Sequence, residues 1–484
     1  MIGLAGILVA LGVLIWLSFR GWSVLILAPG AALIAAIAAG EPLLAHWTQT
    51  FMRAAAGFIA QFFPLFLLGA LFGKLMDDSG SVKAIASLMT EKLGARRAVL
   101  AVVLAGALVT YGGVSLFVAV FVLAPMAQAL FRAADIPNRL VSVAILLGTA
   151  TFTMSALPGT PAIQNAIPMP FFGTTPFAAP GLGLIGAAIM LSFGLWWIGR
   201  REAAARRAGE GFSGPHNTPE AAADDLVVRE RATTASTFDP AEVKHGHASD
   251  ATPTAFVALL PLVVVVLVNL VMSMFVLPRL DTSFLAEARW GETPLSAVSG
   301  VWSVIVALSS AIVVLVALNR KRLPALRDTF DAGVNGSGLP VLSVASLVGF
   351  GAVVAAMPAF EMVRDWVLSI EGGPLVSLAV ATTVLSSLTG SASGGMSIAL
   401  DALGATYLQL AAEVGLDPAA LHRVAVMSAG TLDTLPHNGA VVTMLAVTGS
   451  THKESYFDIV MAGIVGPLIA LVVVIVLGST FGSF

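Results

Sequence analysis

Charged residues fall at wide intervals along the chain, and between them run apolar stretches of about 20 residues, the length at which a helix rising 1.5 Å per residue crosses a hydrocarbon core of ~30 Å. The pattern predicts full spans near residues 2–18, 22–40, 54–76, 139–171, 180–199, 254–278, 295–318, 337–357, 422–449 and 455–480, ten crossings in all. Two of them, 139–171 and 422–449, are broken by proline and polar residues. Two further apolar stretches, 98–131 and 374–412, are interrupted near their middles by Gly, Ser and Thr. These are expected to be re-entrant hairpins, because backbone without helical hydrogen bonds survives at membrane depth only where protein or a water-filled cavity supplies partners. Amphipathic segments at 81–94 and 360–370 are expected at the membrane interface or as solvated connectors, with Lys83, Glu91, Arg364 and Asp365 toward headgroups or water. The expected fold is an all-α polytopic membrane protein.

The two halves of the chain resemble one another in order and spacing. Pro64 pairs with Pro340, Gly73 with Gly349, Gly113 with Gly395, Pro137 with Pro418 and Pro158 with Pro436, at separations of 276 to 282 residues. Each half then holds five crossings and one hairpin, and because five is odd the second half is inverted. The expected organisation is a first repeat at 1–199, a polar loop at 200–252 rich in both charge signs with Pro215, Pro219 and Pro240, and a second, inverted repeat at 253–484. Broken helices meeting near the midplane of an inverted repeat are the architecture of secondary transporters.

Composition supports the membrane assignment and removes several alternatives. Of 484 residues, 57% are hydrophobic and 11% charged, with a mean hydropathy of +0.92, against roughly 25% charged in a soluble domain. A net charge of −3 leaves no footprint for nucleic acid, and the absence of cysteine removes thiol chemistry and Cys-ligated metals. In the ten-span topology 20 Lys and Arg fall on one side and five on the other, Arg53, Arg279, Arg289, Arg364 and Arg423. The positive-inside rule then places the 200–252 loop in the cytoplasm and both termini outside. The first apolar segment has no basic start and no small-residue cleavage site before Arg20, so it reads as a retained span.

The candidate chemistry lies at the four interruptions. The first hairpin tip offers Thr110, Gly112, Gly113 and Ser115, and the second Thr389, Ser391, Ser393, Gly394 and Gly395. Glycines let the backbone turn and approach a ligand, while hydroxyls add donors and acceptors without burying a charge. Small residues of this kind also simply permit close helix packing. The broken spans contribute Thr153, Ser155, Gly159 and Thr160 on one side and Asp433, Thr434, His437 and Asn438 on the other. An ionisable residue at membrane depth is a functional hypothesis by default, so Asp433 and His437 are the candidate proton carriers. The alternative is that Asp433 caps the second half-helix and His437 is a core histidine. Asp401 is a weaker candidate, and Lys74, Asp77 and Asp78 read as surface groups at the end of a span. No HExxH or GxSxG is present, which argues against an enzyme.

Three segments resemble the gluconate permease (GntP) family of the ion transporter superfamily: GALFGKLMDDSGSVKAIASLM at 69–89, ADIPNRLVSVAILLGTATFTMSALPGTPAI at 134–163, and LTGSASGG at 388–395. The likeness runs from about residue 51 to 484, outside the long loop. It implies proton-coupled uptake of a small organic monocarboxylate across a bacterial inner membrane, a scaffold with a transport domain, homodimers and elevator-like alternating access, with no cofactor. Family members handling gluconate carry more polar residues, with histidines, where this chain has Thr153-Met154-Ser155-Ala156-Leu157. A less polar site suits a smaller acid, and TGSASGG with LPHNGAVVT is similar to the branch associated with D-3-hydroxybutyrate.

The expected function is therefore symport of a short hydroxy-monocarboxylate held between the hairpin tips and the breaks. A sodium-coupled carboxylate transporter is the nearest rival, because freed carbonyls near Ser155 and Asp433 suit Na⁺ as well. A passive channel is the alternative from another class.

Overall fold

The computed structural model describes residues 2–19, 22–212, 249, 251–436 and 438–484. Most of the polar loop and the candidate proton carrier His437 thus lie outside the described residues. Among the described residues the chain is helical throughout, without strands. It begins with α1 (Ile2–Phe19) and α2 (Val24–Ala39), followed by α3 (Met52–Asp78), α4 (Ser81–Leu93) and the two arms of the first hairpin, α5 (Ala98–Tyr111) and α6 (Leu116–Ala133). The first broken span comprises α7 (Val141–Thr149), α8 (Phe152–Ser155), α9 (Ile163–Ala166) and α10 (Pro168–Phe172), and α11 (Pro180–Arg207) closes this half. The second half runs through α12 (Ala255–Val271), α13 (Leu295–Asn319), α14 (Leu326–Ala355) and α15 (Phe360–Leu368) to the second hairpin, α16 (Pro374–Thr389) and α17 (Ala392–Glu413). The second broken span is α18 (Pro418–Thr431) and α19 (Gly439–Val447), and the chain ends in α20 (His452–Val460) and α21 (Gly466–Phe481), joined by a π turn at Met461–Val465.

Among the described residues, six helices are long and apolar enough to cross a membrane unaided: Leu43–Asp78, Pro180–Arg207, Ala255–Arg279, Leu295–Arg322, Leu326–Ala355 and His452–Phe481. Their outward faces carry exposed large apolar side chains such as Leu184 on α11, Phe256 on α12, Val313 on α13 and Val472 on α21, a surface suited to lipid. The chain is a multi-pass membrane protein. The remaining expected spans are α1 and α2, which are short, and the two broken ones, whose pieces are too short to cross alone.

α3 and α14 form the central pair. Thr329 at the start of α14 bonds to Asp78 at the end of α3, Gly333 packs on Leu71, and Gly349 packs on Phe51 just before α3. The two helices therefore run antiparallel, and each carries a proline, Pro64 or Pro340, near its middle. α14 begins 11 residues before the predicted start at 337. Its first turns present Thr329, Ala332 and Gly333 to α3 while leaving Arg327 and Asp331 exposed, an amphipathic pattern that apolar-run reading passes over.

The apolar stretches at 98–131 and 374–412 are broken where expected, at Gly112–Ser115 and Gly390–Ser391. In the second hairpin, Ser377 Oγ lies 2.8 Å from the Tyr407 hydroxyl near the open end, and Gly395 packs against the Ser386 backbone near the tip, so the arms return on themselves. A Cβ at Gly395 would lie 2.2 Å from the Ser386 Cα, so only glycine permits that approach.

Two predicted surface features are buried. Lys74 is 2% exposed and Asp78 is fully buried, joined by an ion pair of 2.8 Å, with Thr329 Oγ1 donating to the second Asp78 oxygen at 2.6 Å. Packing of α14 on α3 covers what a lone helix end would leave in water. The start of the polar stretch at 200 is also ordered: α11 continues to Arg207, and Arg201 with Arg139 and the Trp197 indole surround the buried carboxylate of Asp458. Arg139 also forks onto Glu210 at 2.7 and 3.0 Å. These bonds fasten the start of the first broken span to α11 and α20.

Candidate functional site

A cavity of about 170 Å³ lies where the interrupted segments meet the α3–α14 pair. Leu65, Phe66, Gly69 and Ala70 of α3 and Gly336, Ser337 and Pro340 of α14 form one wall. Opposite lie Thr110, Gly113 and Ser115 of the first tip, Gly390, Ser391 and Ala392 of the second, the Pro161–Gln164 stretch of the first break, and Asp433 and Asn438 of the second.

Three helices of nine residues or more begin at this cavity. Leu116 starts α6, Ala392 starts α17, and Asn438 immediately precedes α19, and all three residues line it. Each helix start leaves N–H groups without intrahelical partners and carries the positive end of the macrodipole. The C-terminal ends of α5 and α16 reach the same place through Thr110 and Gly390, and bring carbonyl ends suited to a cation. No Lys or Arg is among the described residues that line the cavity.

The capping chemistry at the second tip ties two elements together. Ser391 caps α17, its Oγ accepting from Gly394 N at 3.1 Å. Asn438 caps α19, its Oδ1 accepting from Ala440 N at 2.7 Å, while its Nδ2 donates to Gly390 O at 3.0 Å and to Asp433 Oδ1 at 2.9 Å. Asp433 Oδ1 also accepts from Ala392 N at 2.9 Å. Asp433 thus does not cap the half-helix that follows it; that role falls to Asn438, and Asp433 reaches the start of α17 instead.

Of the residues singled out from sequence, Thr110, Gly113, Ser115, Ser391, Asp433 and Asn438 line the cavity. The other described ones stand behind it. Gly112 packs on Leu262, and Gly394 on Leu347. Thr153 and Ser155 are buried, their hydroxyls returned to carbonyls of their own turn, Gly148 with Thr149 and Thr151 respectively. Thr389 is likewise bonded to Leu385 O, and Ser393 lies buried 3.4 Å from Ser391 Oγ. Gly159 and Thr160 shape the first break, Gly159 at φ +83° with its N–H on Pro176 O, and Thr160 Oγ1 accepting from Ala162 N. Thr434 is buried beside Gly463, with no hydrogen bond to its Oγ1 among the described residues.

Behind the first break lies a polar network that sequence reading missed. Arg423, counted among exposed external charges, is fully buried on α18. Its Nε and Nη2 donate to Ala178 O at 3.2 and 2.8 Å, and its Nη1 lies 3.4 Å from Asn165 Oδ1. His422, also fully buried, has Nε2 3.2 Å from the same Asn165 oxygen and Nδ1 2.6 Å from Thr174 Oγ1. Asn165 Nδ2 donates to Thr160 O and Pro176 O, which fixes the amide's orientation. Its oxygen must then be an acceptor, so His422 carries its proton on Nε2 and accepts from Thr174. The network braces the Thr160–Gln164 wall from the far side. The signal in the sequence was a His-Arg pair inside an otherwise apolar span.

Also missed was the whole α3–α14 wall, although the Pro64 and Pro340 pairing pointed to both helices. Among the described residues no cluster of three or more His, Asp or Glu is placed to hold a metal ion.

Comparison with known proteins agrees with this architecture. The model of the GntP family of permeases matches residues 1–170. An uncharacterized transporter of Bacillus subtilis (strain 168), YxjC, is 40% identical over 460 residues, covering 94% of each chain. Among solved structures, Neisseria gonorrhoeae MtrF, described with a class of antimetabolite efflux pumps, is similar over 90% of this chain and 84% of its own, with a TM-score of 0.54 and 12% identity, which speaks to the fold alone. A helical membrane protein with broken helices meeting at a cavity, matched by these sequences, belongs to the GntP family of permeases.

Proposed function

We propose that the protein is a proton-coupled symporter of a short hydroxy-monocarboxylate. The observation that carries this reading is the convergence of three helix N-termini on a cavity lined, among the described residues, by one carboxylate and no fixed cation. Helix N-termini favour an anion. With no Lys or Arg to balance it, the anion travels best with a co-transported cation, which is a physical reason for symport.

Size supports a small acid. A cavity of about 170 Å³ is close to the ~150 Å³ that accommodates benzene in an engineered cavity. D-3-hydroxybutyrate is only slightly larger than benzene, whereas gluconate is about twice its size. The apolar side chains of Leu65, Phe66 and Met154 suit the short carbon chain, and Ser391, Ser115 and Asn438 suit the carboxylate and hydroxyl.

We read the two halves as an inverted repeat, with α3 equivalent to α14 and the first hairpin to the second. The cavity lies between the α3–α14 pair and the hairpins with their broken helices, so alternating access would slide the second group along the first. The polar loop is assigned to the cytoplasmic side of a bacterial inner membrane because the side of the ten-span topology that holds it collects 20 Lys and Arg against five on the other.

Uptake of labelled D-3-hydroxybutyrate and gluconate into proteoliposomes tests the reading, under an imposed pH gradient and then an imposed sodium gradient. Accumulation of the smaller acid driven by protons alone is expected. Sodium-driven accumulation would replace the coupling ion, and transport without accumulation would make the protein a passive channel.

A further inference from the structure

The chemistry of the second tip goes a step further than this reading, on which it rests. Ala392 is the first residue of α17, and its N–H points at the cavity end of a 22-residue helix whose cap, Ser391, also faces the cavity. That is the donor an incoming carboxylate would use, yet a carboxylate of the protein already holds it: Asp433 Oδ1 lies 2.9 Å from Ala392 N and 2.9 Å from Asn438 Nδ2. We propose that Asp433 sits in the seat of the substrate's carboxylate, so that the two anions compete for the start of α17, and an acid binds only once a proton has neutralised Asp433.

Among the described residues, the groups that line the cavity with Asp433 include no cation to hold two anions together. From α17 come Ala392 N–H and the Ser391 hydroxyl, from the second break Asn438, from the first break Gln164, and from the first tip Thr110 and Ser115; the α3 and α14 wall adds Ser337. His437, four residues along the same break, lies outside the described residues. The nearest cations along the lining elements are engaged elsewhere, Lys74 with Asp78 and Arg423 with Ala178 and Asn165. Two ionised carboxylates in one such site repel, and one of them must become neutral. The balance is simple: one proton from the aqueous side converts the Asp433 carboxylate to a carboxyl, Ala392 N–H is released, and the acid anion takes its place. Proton and substrate then bind in obligatory order, and the empty, unprotonated carrier closes its own anion seat.

The test is binding of D-3-hydroxybutyrate to the detergent-solubilised full chain by titration calorimetry, between about pH 5.5 and about pH 8, a range in which the ligand's own carboxylate stays ionised. Wild-type affinity is expected to rise as the pH falls, by up to about tenfold per pH unit for one linked proton. Asp433→Asn is expected to bind at every pH with the affinity the wild type reaches in acid, because the seat is then held only by a neutral amide. Asp433→Ala repeats the measurement should the amide variant misfold. Wild-type affinity independent of pH, or loss of binding at all pH values in both variants, overturns the competition. If proton gradients still drive accumulation by the wild type in that case, the symport reading stands and only this inference falls. Absence of binding by wild type and variants at every pH overturns the substrate class, and the competition with it.

Discussion

Lys74 and Asp78, one turn apart on α3, form a 2.8 Å ion pair that is shut away from solvent, and Asp78 spends its second oxygen on Thr329 of α14. The pair thus belongs to the α3–α14 interface. Removing one buried partner strands the other charge, which costs about 3–5 kcal/mol, whereas replacing both by apolar groups costs far less. Lys74→Met is therefore expected to lower thermal stability in detergent more than Lys74→Met combined with Asp78→Leu. Equal melting temperatures for single and double variants would show that the pair is solvated.

Arg423 is held by carbonyl oxygens, with no carboxylate beside it among the described residues. Arg423→Met is expected to destabilise by about 1–3 kcal/mol, the range for leaving buried acceptors unpaired. It is also expected to raise the KM for uptake, because the Thr160–Gln164 wall loses its brace. Arg423→Lys should recover little, since an ammonium lacks the fork that holds Ala178 O through two nitrogens. Full uptake kinetics in the lysine variant would assign the residue's role to charge alone.

Ser391 caps α17 at the cavity, so Ser391→Ala combines two effects. Loss of the cap costs about 0.5–2 kcal/mol, readable as a lower melting temperature. Loss of a cavity hydroxyl should raise the KM. Ser391→Gly, which costs a cap only a few tenths, separates them: it should keep the stability and still show the higher KM.

Gly395→Ala is expected to force the arms of the second hairpin apart, because its new methyl meets the Ser386 backbone rather than a side chain that can turn away. Overpacking of this kind costs about 1–3 kcal/mol. Transport measured at constant surface expression should fall; unchanged transport and stability would mean that the tip yields freely.

Glu210, beyond the end of α11, has its carboxyl held below the usual glutamate range by its hydrogen bonds to Arg139. A lowered folded-state value means that the bond stabilises fully above the ordinary value of about 4.3 and that this contribution disappears as the pH falls through the folded-state value. Being partly exposed, it is worth about 1 kcal/mol at most. Wild type should melt above Glu210→Gln near about pH 6, with the gap closing toward about pH 3. A gap that widens in acid would contradict the assigned pairing.

Much of the architecture was legible in the sequence because a bilayer imposes a one-dimensional rule. Spans must be apolar for their whole length, so TYGGVS and TGSASGG stand out inside apolar stretches, and both tips meet at the cavity. Asp433 and Asn438 were legible for the same reason. Which hydroxyls face the cavity was not: Thr153 and Ser155 look like Ser391 in sequence, yet they lie buried away from it, bonded to carbonyls one turn back. Backbone geometry at each break makes that choice.

Pairing between distant segments was the other decision left to tertiary structure. Arg423 and Lys74 read as surface charges because a charge near a span's end normally reaches water. Both are buried because another part of the chain brings the right oxygens, Ala178 and Asn165 to one, Asp78 with the cover of α14 to the other. Hydropathy along the chain thus determined that the protein crosses a membrane and where its helices break. Only packing of one half against the other decided which polar groups are buried against partners and which line the cavity, because a hydrogen-bond partner some 250 residues away leaves no periodic mark on the sequence.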